Sequence, residues 1–64
     1  MNKNTKIEIA VEIMAAKIAK TAREGVSAED EIMKNLLKER LEMYQGNEEI
    51  IEKIIEVYGK EIRN

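Results

Sequence analysis

Two glycine-centred breaks, "REGVS" and "YQGNE", divide a chain that is otherwise compatible with helix from residue 5 to residue 58. They constrain the fold more than any other feature. Proline, the residue that stops a helix outright, is absent. Glycine reaches the left-handed conformation that closes a helix, which other residues adopt only with strain. Gly25 and Gly46 therefore read as helix ends, and the residues after them read as helix starts. Ser27 suits an N-cap, its hydroxyl accepting from the backbone NH of Asp30. Asn47 suits another, and Thr5 with Glu8 forms a capping box. Glu29, Asp30 and Glu31 then fall in a first turn, facing the positive end of the helix dipole. A calcium loop would need alternating oxygen ligands around a glycine and a distal glutamate, a spacing absent here. The pattern predicts helices over about 5–24, 27–45 and 47–58, the last running on to 62 if Gly59 is tolerated, because Ile62 stays in phase with Ile55 and Tyr58.

Connections this short force successive helices roughly antiparallel, the alternative being that helices two and three straighten through Gly46 into one long helix. The expected fold is all-α: a single domain spanning residues 1–64, a three-helix bundle of up-down-up topology. Its faces follow from 100° per residue. Helix three places Ile50, Ile51, Ile54, Ile55, Val57, Tyr58 and Ile62 on one side and Glu49, Glu52, Glu56 and Lys60 on the other. Helix two has a broader apolar arc of Ile32, Met33, Leu36, Leu37, Leu41, Met43 and Tyr44. Helix one has a core stripe of Ile7, Ala10, Val11, Met14, Ala15, Ile18 and Ala22. Roughly opposite it runs a second strip of Ile9, Ile13 and Ala16. The methionines read as core filler.

Size bears on how such a bundle is held. A 64-residue domain buries only about 60% of the surface its unfolded chain exposes. Chains below roughly 70–80 residues usually need a staple. Cysteine and histidine are both absent, which removes disulfides and the usual zinc ligands. Regular helix packing and self-association remain, so the bundle is expected to be completed by homodimerisation. Charge is placed unevenly. Residues 1–23 carry five bases against two acids, and the rest carry six against eleven, within a net charge of -2. Glu8 and Glu12 interrupt the apolar stretch near the N-terminus, which argues against a signal or transit peptide. No apolar run approaches the roughly 18 residues of a membrane span. A soluble, cytoplasmic protein is expected.

The second strip of helix one is the leading candidate for function. Ile9, Ile13 and Ala16 would make an apolar contact with a second copy or with a larger protein, while Lys17 and Lys20 steer an acidic partner surface. Alternatively, helices two and three wrap helix one and cover both strips. Arg40 is a further candidate, because it falls inside the apolar arc of helix two. It would either meet a carboxylate such as Glu8 or Glu12 across an interface, or lay its stem over the core with its guanidinium in water.

Other chemistries have little to work with. Glu49, Glu52 and Glu56 have the spacing of a carboxylate metal site, but they face outward and have no histidine beside them, so they read as a solvated face. No nucleophile–base pair, no phosphate-cradling glycine loop and little room for a ligand pocket suggest themselves. No catalytic residue, cofactor, metal, membrane or small-molecule substrate is expected. A DNA-reading helix would enter the major groove with its N-terminus, and here those ends are acidic. Nucleic acid is therefore an alternative partner only for the basic edge of helix one, Lys6, Lys17, Lys20 and Arg23. The expected function is that of a small non-enzymatic interaction or regulatory protein that works through helix one.

Overall fold

The computed structural model describes residues 2–63, which form three helices and, among the described residues, no strand. Helix α1 is Lys3–Arg23 and α2 is Glu31–Tyr44. Helix α3 opens as Glu48–Lys53, passes through a π-helical stretch, Ile54–Tyr58, and resumes α geometry over Gly59–Arg63.

Both glycine breaks have the same hydrogen-bond pattern. Gly25, at φ 92°, donates its NH to Ala22 O at 3.0 Å, and Val26 donates to Thr21 O at 3.3 Å. Gly46, at φ 85°, donates to Met43 O at 3.0 Å, and Asn47 donates to Glu42 O at 3.1 Å. This paired closure satisfies two of the carbonyls that every helix C-terminus leaves open, and it requires the positive φ that glycine supplies.

The starts differ from the sequence pattern at two of three places. Asn47 caps α3 as expected, accepting from Ile50 N at 3.3 Å. Helix α1, however, begins earlier than Thr5: Asn2 accepts from Thr5 N at 2.9 Å through its side-chain oxygen, and asparagine is the stronger cap. Helix α2 begins later than Ser27. Asp30 caps it, accepting from Ile32 N at 2.8 Å, while Ser27 O accepts from Asp30 N in a turn before the helix. Asp30 caps as well as Ser27 would, and the turn lengthens the connection between α1 and α2.

Long-range contacts set the topology. Lys6 pairs with Glu52, Ile13 lies over Gly59, and Lys17 pairs with Glu61, so α3 runs parallel to α1. Glu39 of α2 meets both Lys53 and Tyr58 of α3. The order is up-down-up. The core is built from Ala10 and Met14 of α1, Met33, Leu36 and Met43 of α2, and Ile51 and Ile54 of α3. Met14, Met43 and Ile54 are the largest fully buried side chains. Thr21 is buried within α1 and satisfies its hydroxyl by donating to Lys17 O at 2.7 Å.

The π-helical stretch decides what the end of α3 presents. Gly59 N bonds Ile54 O, so residues five apart stack on one face, and both are buried. In an α-helix Tyr58 would lie beneath Ile54. Here Tyr58 is swung toward α2 and Gly59 takes the inward position. A Cβ at Gly59 would come within 3.2 Å of Ile13 Cδ1, so a residue without a side chain lets the two helices approach. The widened turn also sets back the helical phase. That turns Val57, expected on the apolar side, to 46% exposure; Ile62, in the last turn of α3, is 38% exposed.

Candidate functional site

Glu39 is the buried acid among the described residues. It sits three residues after Leu36 and four before Met43, which places it on the inward face of α2. Its two oxygens are used separately. Tyr58 Oη donates to Oε1 at 2.5 Å, and Lys53 Nζ donates to Oε2. Lys53 and Lys17 flank the Tyr58 ring, at 5.4 Å and 5.3 Å from its centroid, and Lys17 is held by Glu61 at 2.7 Å. This network lines a groove of about 460 Å³ between α2 and α3, with Ile32 and Ile50 among its apolar walls. Periodicity places the charge of Arg40 within the apolar arc of helix two, yet its neighbour Glu39 is the one that turns inward. The signal was available, since Glu39 falls between Leu36 and Met43 on the same arc.

The electrostatics of the network suit a structural tie. The hydrogen bond that Lys53 donates to Glu39 raises the lysine's pKa above its usual value, against partial desolvation. Burial raises the pKa of the Tyr58 phenol, and its bond to Glu39 adds to the effect. Both groups therefore stay protonated near neutral pH, and neither is poised as a base or nucleophile.

A pH dependence follows from the sign of these shifts. With both pKa values raised, the folded protein keeps protons that the unfolded chain releases. The stabilisation is complete below about pH 10 and is lost as pH rises through the raised values. Urea midpoints measured from pH 8 to 11 should therefore fall at the alkaline end, and Glu39→Gln should flatten that fall. A midpoint that holds level in the parent protein would contradict the coupling.

The residues singled out in the sequence are dispersed by the structure. Ile13 does not lie on a face turned away from the core. It packs against the core and over Gly59, because α3 runs along that flank of α1. Ile9, one turn earlier, is half-buried, whereas Ala16 and Lys20 are exposed. Lys17 is half-buried and committed to Glu61 and the Tyr58 ring. Arg40 is exposed.

A second surface lies on the other flank of the α1–α2 pair. Lys6, Ile13 and Lys17 face α3, so the opposite side of α1 carries Ala15, Ala19 and Ala22, all exposed. On α2, Glu39 faces α3, and the opposite side carries Leu37, Leu41 and Tyr44. Leu41 is 58% and Tyr44 61% exposed. Sequence periodicity assigned Ala15 and Ala22 to the core stripe of helix one. The structure leaves them outside, because α2 and α3 enclose only the arc centred on Ala10 and Met14.

These features define an all-α three-helix protein with a polar tie on one side of α2 and an apolar face on the other. No helix among the described residues is long and apolar enough to cross a membrane. Comparison of the chain with protein-family models, with curated proteins and with solved structures finds no match in any of the three.

Proposed function

We propose that this chain is a small, non-enzymatic, regulatory interaction protein of the cytoplasm. It works by presenting a helical face built on α1 to another protein surface, in a homodimer or on a larger partner. The observation that carries this reading is the outer α1–α2 face. Scattered exposed hydrophobic residues are ordinary on a monomer, but Leu41 and Tyr44 sit next to each other, flanked by half-buried Leu37 and a row of exposed alanines. The basic edge of α1 supports nucleic-acid binding less well, because Glu52 and Glu61 hold Lys6 and Lys17 and so offset two of its four cations.

The test is a photo-crosslinking amino acid placed at Tyr44 in the cells that make the protein, with the same group at Glu48 as control. Protein adducts are expected from position 44 and not from position 48. Equal labelling at both positions, or none at either, would overturn the reading.

A further inference from the structure

We propose that the outer α1–α2 face is covered by a second copy of this chain. In this arrangement α1 of each protomer lies antiparallel on α2 of its partner, about a twofold axis parallel to the helices. The inference rests on the reading of this face as a docking surface and names its occupant.

Size complementarity is the first support. Ala15, Ala19 and Ala22 form a row of small residues stepping by four and three positions, and Leu37, Leu41 and Tyr44 form a row of large ones with the same steps. A twofold axis parallel to the helices sets each small row against a large one where the two overlap, at Ala15 and Ala19 against Leu37 and Leu41. The perpendicular twofold would put alanines on alanines and Leu41 and Tyr44 on their own copies, leaving a gap over one helix pair and crowding over the other.

Height along the helices agrees. The two helices are joined at the end marked by Arg23 and Glu31. At 1.5 Å per residue, Ala15 lies ~12 Å from that end and Leu41 ~15 Å. The parallel twofold keeps these heights, so Leu41 of one protomer meets Ala15 of the other. Leu37, at ~9 Å, comes between Ala15 and Ala19, and Tyr44, at ~20 Å, reaches past the alanines to the level of Glu12 and Glu8.

Charge is the second support. Glu12 and Arg40 lie ~17 Å and ~14 Å from the same end, while Arg23 and Glu31 mark the end itself. Setting α1 on the partner's α2 brings an acid near a base at both levels. Among the described residues, none of these four charges takes part in an ion pair within the chain, whose three pairs all tie α3 to its neighbours. Self-complementarity of this kind is what an isologous interface requires.

Sedimentation equilibrium on the full chain tests the partner. A concentration-dependent dimer is expected, and Leu41→Glu should abolish it while leaving the helical circular dichroism unchanged, since Leu41 is 58% exposed. Glu12→Arg should weaken dimerisation about tenfold, because the axis uses each contact twice, and Glu12→Arg/Arg40→Glu in one chain should restore it.

The helix pairing is tested separately. The chain has no cysteine, so oxidising an Ala15→Cys protein mixed with a Leu41→Cys protein starts from a clean background. Mixed disulfides should predominate over either homodisulfide. Predominant Leu41→Cys homodisulfides would overturn the pairing, and a monomer up to millimolar concentration would overturn the second copy as occupant. A monomer whose position 44 still crosslinks a different protein would leave the docking surface standing and sink only this inference.

Discussion

Met14→Ala is expected to bring the protein close to unfolding. Met14 is fully buried, at 0% exposure, midway along the helix that both others pack against. Truncating a fully buried methionine costs about 2–5 kcal/mol, the loss of transfer energy plus that of a cavity that closes only in part. A domain of 64 residues has roughly 3–10 kcal/mol in all, at about 0.05–0.15 kcal/mol per residue. The loss is therefore a large share of the total. Urea unfolding followed by circular dichroism should show a midpoint displaced far toward zero denaturant, or no folded baseline. A displacement equivalent to less than about 1 kcal/mol would mean that the core relaxes freely around this position.

Ile13→Glu is expected to damage the fold directly. From the sequence this substitution would separate two cases: loss of association with helicity intact if Ile13 faced a partner, and loss of the fold if it faced inward. The structure packs Ile13 against the core, with Gly59 close beneath its Cδ1. A carboxylate there loses hydration, and the base one turn on, Lys17, is already held by Glu61 and the Tyr58 ring. A polar group left so placed costs about 1–3 kcal/mol. The midpoint of thermal unfolding should fall by several degrees or more. Unchanged stability together with lost association would return Ile13 to an interface. Compared beside Leu41→Glu, expected to alter association alone, the two variants assign the opposite flanks of the α1–α2 pair to different roles.

Much of the architecture is readable from local chemistry. The glycines at 25 and 46, the cap at Asn47 and the helical periodicity between them lead to three antiparallel segments, and the structure contains them. Their causes lie within a few residues: a conformation open to glycine, a side-chain oxygen within reach of a free NH, an apolar residue every third or fourth position. Where two capping residues compete within that short range, the outcome is harder to read. Asn2 rather than Thr5 opens α1, and Asp30 rather than Ser27 opens α2.

The faces were less legible, because a face is defined by what lies opposite it. Two apolar strips on α1 could be read from periodicity, but not which would be enclosed. That depended on α3 running parallel to α1 and along the flank of Ile13. The π-helical stretch likewise follows from packing. It brings Gly59 beneath Ile54 and against Ile13, sends Tyr58 to Glu39, and leaves Val57 partly in solvent. Glu39 could be placed on the core arc by counting, yet its tolerance there depends on Lys53 and Tyr58, 14 and 19 residues away. Hydrogen bonds and turns of three or four residues are properties of the local chain. Burial, and with it the choice between core and surface for each apolar strip, is a property of the assembled bundle.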